Sequence, residues 1–200
     1  MTTIQIGHLL RSSTSAFVAG CSVSQLEAPS LGALVRAPLD KDYSVYGLIY
    51  DIHIDDDGLV RQLVTAGEIK DDIRRDSRER RIVPVEMSVL AAGYEQSGKI
   101  SHLLPPRPPL SLDVIYLCNE QELVKFTGAG KFGYFRHVLR ADDVPVGEVL
   151  AAHLGQASAA HAAKGNKDWA EEATKELITL LRDDYPSLMA VLGALGDMSD

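Results

Sequence analysis

Cysteine, long apolar runs and positive charge are all scarce in this chain, and each scarcity narrows what it can do. Its 200 residues include two cysteines, Cys21 and Cys118. They stand far apart with no C-x-x-C spacing, each in an apolar, strand-like run. That placement predicts buried free thiols in a reducing compartment, not a disulfide or a zinc site. No stretch approaches the ~20 apolar residues of a membrane-spanning helix. The first residues lack the basic-then-apolar order of a signal peptide, since Gln5 and His8 already interrupt them. These two features predict a cytoplasmic protein. Lys and Arg number 20 against 28 Asp and Glu, a formal net charge of −8. So acidic a chain argues against a nucleic-acid coat and against anionic membrane surfaces, both of which attract a positive field.

Catalytic signatures are equally thin. Six histidines (His8, His53, His102, His137, His153 and His161) are scattered singly, with no H-x-x-x-H pair and no H-E-x-x-H. There is no G-x-S-x-G elbow for a serine nucleophile. Gly128-Ala129-Gly130-Lys131 resembles part of a phosphate-binding loop but fails at two mechanistic positions. Lys125 stands where the first glycine belongs, and Phe132 replaces the hydroxyl that would hold Mg²⁺. The segment reads as a turn between Phe126 and Tyr134. Asp55-Asp56-Asp57 lacks the alternating ligands and distal glutamate of a calcium loop, and with Gly58 it reads as a hairpin turn. No cofactor, metal or enzymatic activity is expected from these motifs.

What is present suits a folded core: 46% hydrophobic and 24% charged residues, enough for one domain or one with a small appendage. The N-terminal third reads as short strands joined by tight turns. Ile4 to Leu10 and Phe17 to Val23 are apolar runs separated by the hydroxyl cluster Ser12-Ser13-Thr14-Ser15. Pro29, Leu31 and Gly32 precede the short strand at Leu34-Val35, and Val45 to Ile54 is a long apolar run. The pieces IGHLLRSST, APSLGALVRA and VYGLIYDI, in that order, resemble the HAS barrel. This small β-barrel stands at the N-terminus of HerA-type DNA-translocating ATPases and of the catalytic subunits of rotary ATP synthases. The resemblance implies a ring-forming collar and docking surface. No P-loop motor follows here, so ATP hydrolysis is not carried over.

The chain divides by composition into a HAS-like barrel zone (1–66), a charged linker or exposed segment (67–81), a mixed strand and loop region (82–140) and a helical region (141–200). The fold class expected is therefore mainly β, a small antiparallel barrel at the N-terminus, with an α+β middle region and C-terminal helices. Four short strands leave edges to be paired, so a further strand is expected from Ile82 to Leu104. Pro105-Pro106-Arg107-Pro108-Pro109 excludes helix or central strand there. In the last region Asp168 is a candidate cap for a helix whose buried stripe is Trp169, Ala173, Leu177, Leu180 and Leu181, and Pro186 breaks the run.

Two clusters remain as candidate contacts. Arg74, Arg75, Arg78, Arg80 and Arg81 form a weak candidate phosphate-contacting patch on DNA, but Asp71, Asp72, Asp76 and Glu79 interleave with them and cancel most of the field. Leu188, Leu192 and Leu195, with Met189 and Val191, form a helical stripe that must cover something, either a partner or a groove of the fold itself. The main reading is a non-catalytic assembly module that docks on a partner, such as a HerA-type ATPase or its nuclease, or on itself. A small-ligand binder or enzyme with a site between Pro105–Pro109 and Gly128–Gly133 is the alternative, and a small-barrel nucleic-acid binder is the third.

Overall fold

The computed structural model describes residues 4–24, 29–54, 65 and 82–197. Strands β1 (Ile4–Ser12) and β2 (Ala16–Ser24) form an antiparallel hairpin. Its turn is closed by the serine cluster: Ser13 N donates to the Ala16 carbonyl at 2.7 Å, and Ser13 Oγ accepts from Ala16 N at 3.0 Å. Strands β3 (Leu34–Asp40) and β4 (Tyr43–Ile54) form a second hairpin, in which Asp40 Oδ1 accepts from Asp42 N at 3.0 Å and so tightens the turn.

Two hairpins do not make a barrel. Closure comes from β5 (Ile82–Gln96), which pairs with β4 on one side and β2 on the other, and from β7 (Val114–Leu117), which lies between β1 and β3. The result is a closed six-stranded antiparallel barrel, with the three-residue β6 (Lys99–Ser101) added as a hairpin on β5. Closure satisfies the edges that β2 and β5 would otherwise expose.

Alternation along the strands then builds two cores. Leu9, Phe17, Val35, Val45, Ile49, Met87 and Ile115 fill the barrel interior. Leu34, Tyr46, Leu48, Leu90 and Ala92 face outward on one side and form the floor of a helical layer. Strands β3, β4 and β5 are thus apolar on both faces, which is why Val45 to Ile49 reads as an unbroken apolar run.

That layer contains α1 (Glu120–Thr127), a single 3₁₀ turn at Gly130–Phe132, α2 (Phe135–Leu139), α3 (Val146–Ala163), α4 (Trp169–Leu180) and α5 (Tyr185–Asp197). Helix α1 starts at a capping box, in which Asn119 Oδ1 accepts from the Gln121 and Glu122 amides and Glu122 reaches back to Asn119 N. Arg36 of β3 donates to Glu122 at 3.0 Å, tying this cap to the barrel. Helix α3 is the centre of the layer, burying Val149, Leu150, His153, Leu154, Ala157, Ala160 and His161.

The structure differs from the sequence reading at three places here. Asp168 has helical backbone angles itself, so its side chain makes no capping bond. Leu180 is exposed, while Trp169, Ala173, Leu177 and Leu181 are buried. Pro186 starts a helix instead of only ending one. It occupies the first turn of α5, where its missing N–H costs nothing, and Asp184 accepts from Ser187 N and Oγ beside it.

Candidate functional site

Antiparallel pairing brings the ends of β1, β3 and β5 and the starts of β2, β4 and β7 to the same end of the barrel. The segment 102–113, which leads from β6 to β7, crosses that end as a strap. It is pinned along its length. Tyr43 Oη donates to the Arg107 carbonyl at 3.3 Å, and the Arg107 guanidinium lies over the Tyr43 ring and 3.7 Å from Asp40. Ser12 Oγ donates to the Pro109 carbonyl at 2.5 Å. Leu112 N donates to the Leu9 carbonyl, and Leu9 N to the Asp113 carbonyl, both at 2.9 Å.

The strap turns Pro105 and Pro109 in and its leucines out. Pro105 and Pro109 are buried, whereas Leu103, Leu110 and Leu112 are 58%, 66% and 78% exposed. Leu10 of β1, opposite the buried Leu9, is 47% exposed and leans over Gly20 of β2. Leu112 also has φ +72, a left-handed conformation that L side chains adopt at a cost of about 1 kcal/mol or more. Bonds at both its N–H and its carbonyl, which His8 Nδ1 approaches at 3.1 Å, hold it there.

No protein-family model and no curated protein matches this chain.

The residues singled out in the sequence fall in different places. Arg74, Arg75, Arg78, Arg80 and Arg81 lie outside the described residues, as do the acidic turn at Asp55–Gly58 and the whole 67–81 segment. Leu188 and Leu195 pack half-buried against the helical core beside the fully buried Val191, and Leu192 is half-buried. The outward residues of α5 include Tyr185 and Met189. Cys21 and Cys118 are unpaired and half-buried, and burial pushes both thiols up. That disfavours the reactive thiolate.

The glycines of 128–133 do not rim an open space. Gly130 has φ +58, and a Cβ built on it would meet His102 Nδ1 at 2.7 Å, so only glycine lets this turn close over the histidine. His102 is buried, sends Nε2 to the Phe126 carbonyl at 3.0 Å, and packs among the rings of Phe126 and Tyr134. Burial lowers its pKa. These turns form a closed aromatic core continued by Tyr46, Phe135, Phe132 and Trp169.

The strap is half legible in the sequence. Its prolines announce an irregular segment. The turn of its leucines toward solvent follows from the pinning bonds at Leu9, Ser12 and Tyr43, which no local pattern encodes.

Proposed function

We infer that this protein is an assembly module, a barrel with a helical layer that docks on another protein through the strap across its end. The observation that carries this reading is the set of exposed leucines on the strap, Leu103, Leu110 and Leu112. Exposed leucines on a pinned, preorganised backbone suit a contact surface, since little entropy is lost when a partner covers them. Strain at Leu112 fits as well, because backbone left in a sparsely populated region clusters where function requires a particular shape. The resemblance to the HAS barrel supplies the partner class: a HerA-type ATPase, its nuclease, or further copies of this chain in a ring.

The test is sedimentation velocity on the pure protein and on its mixture with a HerA-type ATPase of the same host, for wild type and for a Leu110→Asp, Leu112→Asp double variant. A complex or oligomer formed by the wild type and lost in the variant is the expected result. Monomeric wild type that stays unbound with ATPase and nuclease alike, or a variant that assembles as well as wild type, overturns the reading.

A further inference from the structure

A pocket of about 350 Å³ lies beside the strap, between the β2–β5 pair and α2. Leu90 and Leu104 give it an apolar side, and Ser15 stands at the wall. The opposite side is cationic. Helix α2 buries Phe135 and Val138 in the core, and that rotation presents Arg136, His137 and Arg140 to the pocket. Arg136 lies in α2 and Arg140 caps its end, and both line the same pocket, where like charges repel.

Two of the three groups are held in place. The Arg136 guanidinium donates to the His102 carbonyl at 2.6 Å, and His137 Nε2 donates to the same oxygen at 2.8 Å. That bond leaves the other guanidinium N–H groups of Arg136 free to reach a ligand. Burial, and behind it the charges of Arg136 and Arg140, hold His137 below its usual value, so the standing charge of the wall comes from the two arginines. Among the described residues neither arginine has a carboxylate partner, in a chain with 28 acidic residues to choose from. Two guanidiniums without a carboxylate partner among the described residues, facing leucines, suit an anion that carries an apolar body.

We propose that this pocket binds a small phosphate monoester with an apolar body, the phosphoryl group on Arg136 and Arg140 and the body against Leu90 and Leu104. Two guanidiniums match the dianion in charge, and their forked donors match its oxygens in geometry. A monocarboxylate would leave one arginine unopposed. The pocket shares Leu104 with the strap, but phosphate capture rests on Arg136 and Arg140 and docking on Leu110 and Leu112, so the two are tested by different variants.

The experiment is titration of the whole protein with phenyl phosphate, inorganic phosphate and benzoate, read by calorimetry and by the imidazole NMR shifts of His137. Phenyl phosphate is expected to bind saturably, more tightly than inorganic phosphate or benzoate, and to move the His137 resonances. Arg140→Gln, at an exposed position, should keep the fold and weaken phenyl phosphate by about tenfold or more. Leu104→Ser should reduce the preference for phenyl phosphate over inorganic phosphate without affecting the latter. Absence of saturable binding, equal binding of benzoate, or an Arg140→Gln protein that binds like wild type overturns the proposal.

Discussion

His153 has no exposed surface, and its two hydrogen bonds fix both tautomer and charge. Nδ1–H donates to the Gly32 carbonyl at 3.0 Å, and Nε2 accepts from Tyr134 Oη at 3.0 Å. Gly32, at φ +74, lets the barrel loop come this close: a Cβ there would lie 2.6 Å from His153 N. Burial lowers the imidazole to about 4, with the Gly32 bond opposing. In the unfolded chain it titrates near ~6.5. A group whose folded pKa is depressed contributes fully above the unfolded value and loses that contribution as pH falls toward the folded one. His153 alone should therefore lower the unfolding free energy by about 3 kcal/mol between pH ~6.5 and ~4, since the unfolded chain takes up a proton that this native imidazole refuses. Urea unfolding at several pH values measures this. His153→Asn, which keeps a donor for Gly32, should flatten the slope by about one proton in that window. An unchanged slope would place the acid sensitivity elsewhere.

Leu112 carries a second residue-scale prediction, and its sign is unusual. Its left-handed backbone is costly for leucine and well tolerated by asparagine, and its side chain is open to solvent. Leu112→Asn should therefore raise stability by about 0.5 kcal/mol while weakening assembly. A stability loss above ~1 kcal/mol in thermal unfolding would mean that the side chain supports the fold after all.

At the scale of elements, α5 faces the helical core through Leu188, Val191 and Leu195 and faces outward through Tyr185 and Met189. Leu188→Glu should cost about 2 kcal/mol, because it buries a carboxylate against α3. Met189→Glu on the outer face should change stability by no more than about 0.5 kcal/mol. Denaturant unfolding separates the two, and equal costs would mean that the helix is turned otherwise.

Elements are unevenly legible in the sequence. The hairpin strands are readable, because apolar runs lie between Ser, Asp and Gly turns, and α4 is readable from its three- and four-residue spacing. The sequence reading omits helix α1, although Asn119 and Glu122 spell a capping box ahead of Leu123 and Val124. Helix α2 is five residues long, too short for a period to emerge. It is held by tertiary packing of Phe135 and Val138, so the arginine and histidine wall it presents has no local signal. The inward docking of Leu188 is one of two readings the stripe allows. Only the position of α3 selects between them.

At the scale of the whole molecule, the barrel is a long-range construction. Its first four strands lie within residues 4–54, yet β1 meets β3 only through β7, and β2 meets β4 only through β5. A chain ending at residue 66 would hold two separate hairpins with Phe17, Val45 and Ile49 exposed and four unpaired edges. Isolated hairpins are marginal in water, and no interior remains to offset the entropy of ordering them. The fragment 1–66 should therefore be unfolded, with collapsed amide dispersion in its NMR spectrum. Adding a second fragment, 82–200, should restore the dispersion, since β5 and β7 return both closures and the outward faces of β3 and β4 regain the helical layer. The same topology predicts slow folding, because closing β5 onto β2 spans most of the barrel's sequence before any contact compensates the loop. A well-dispersed spectrum from 1–66 alone would show that the hairpins close without β5 and β7, and the barrel would then be a separable domain.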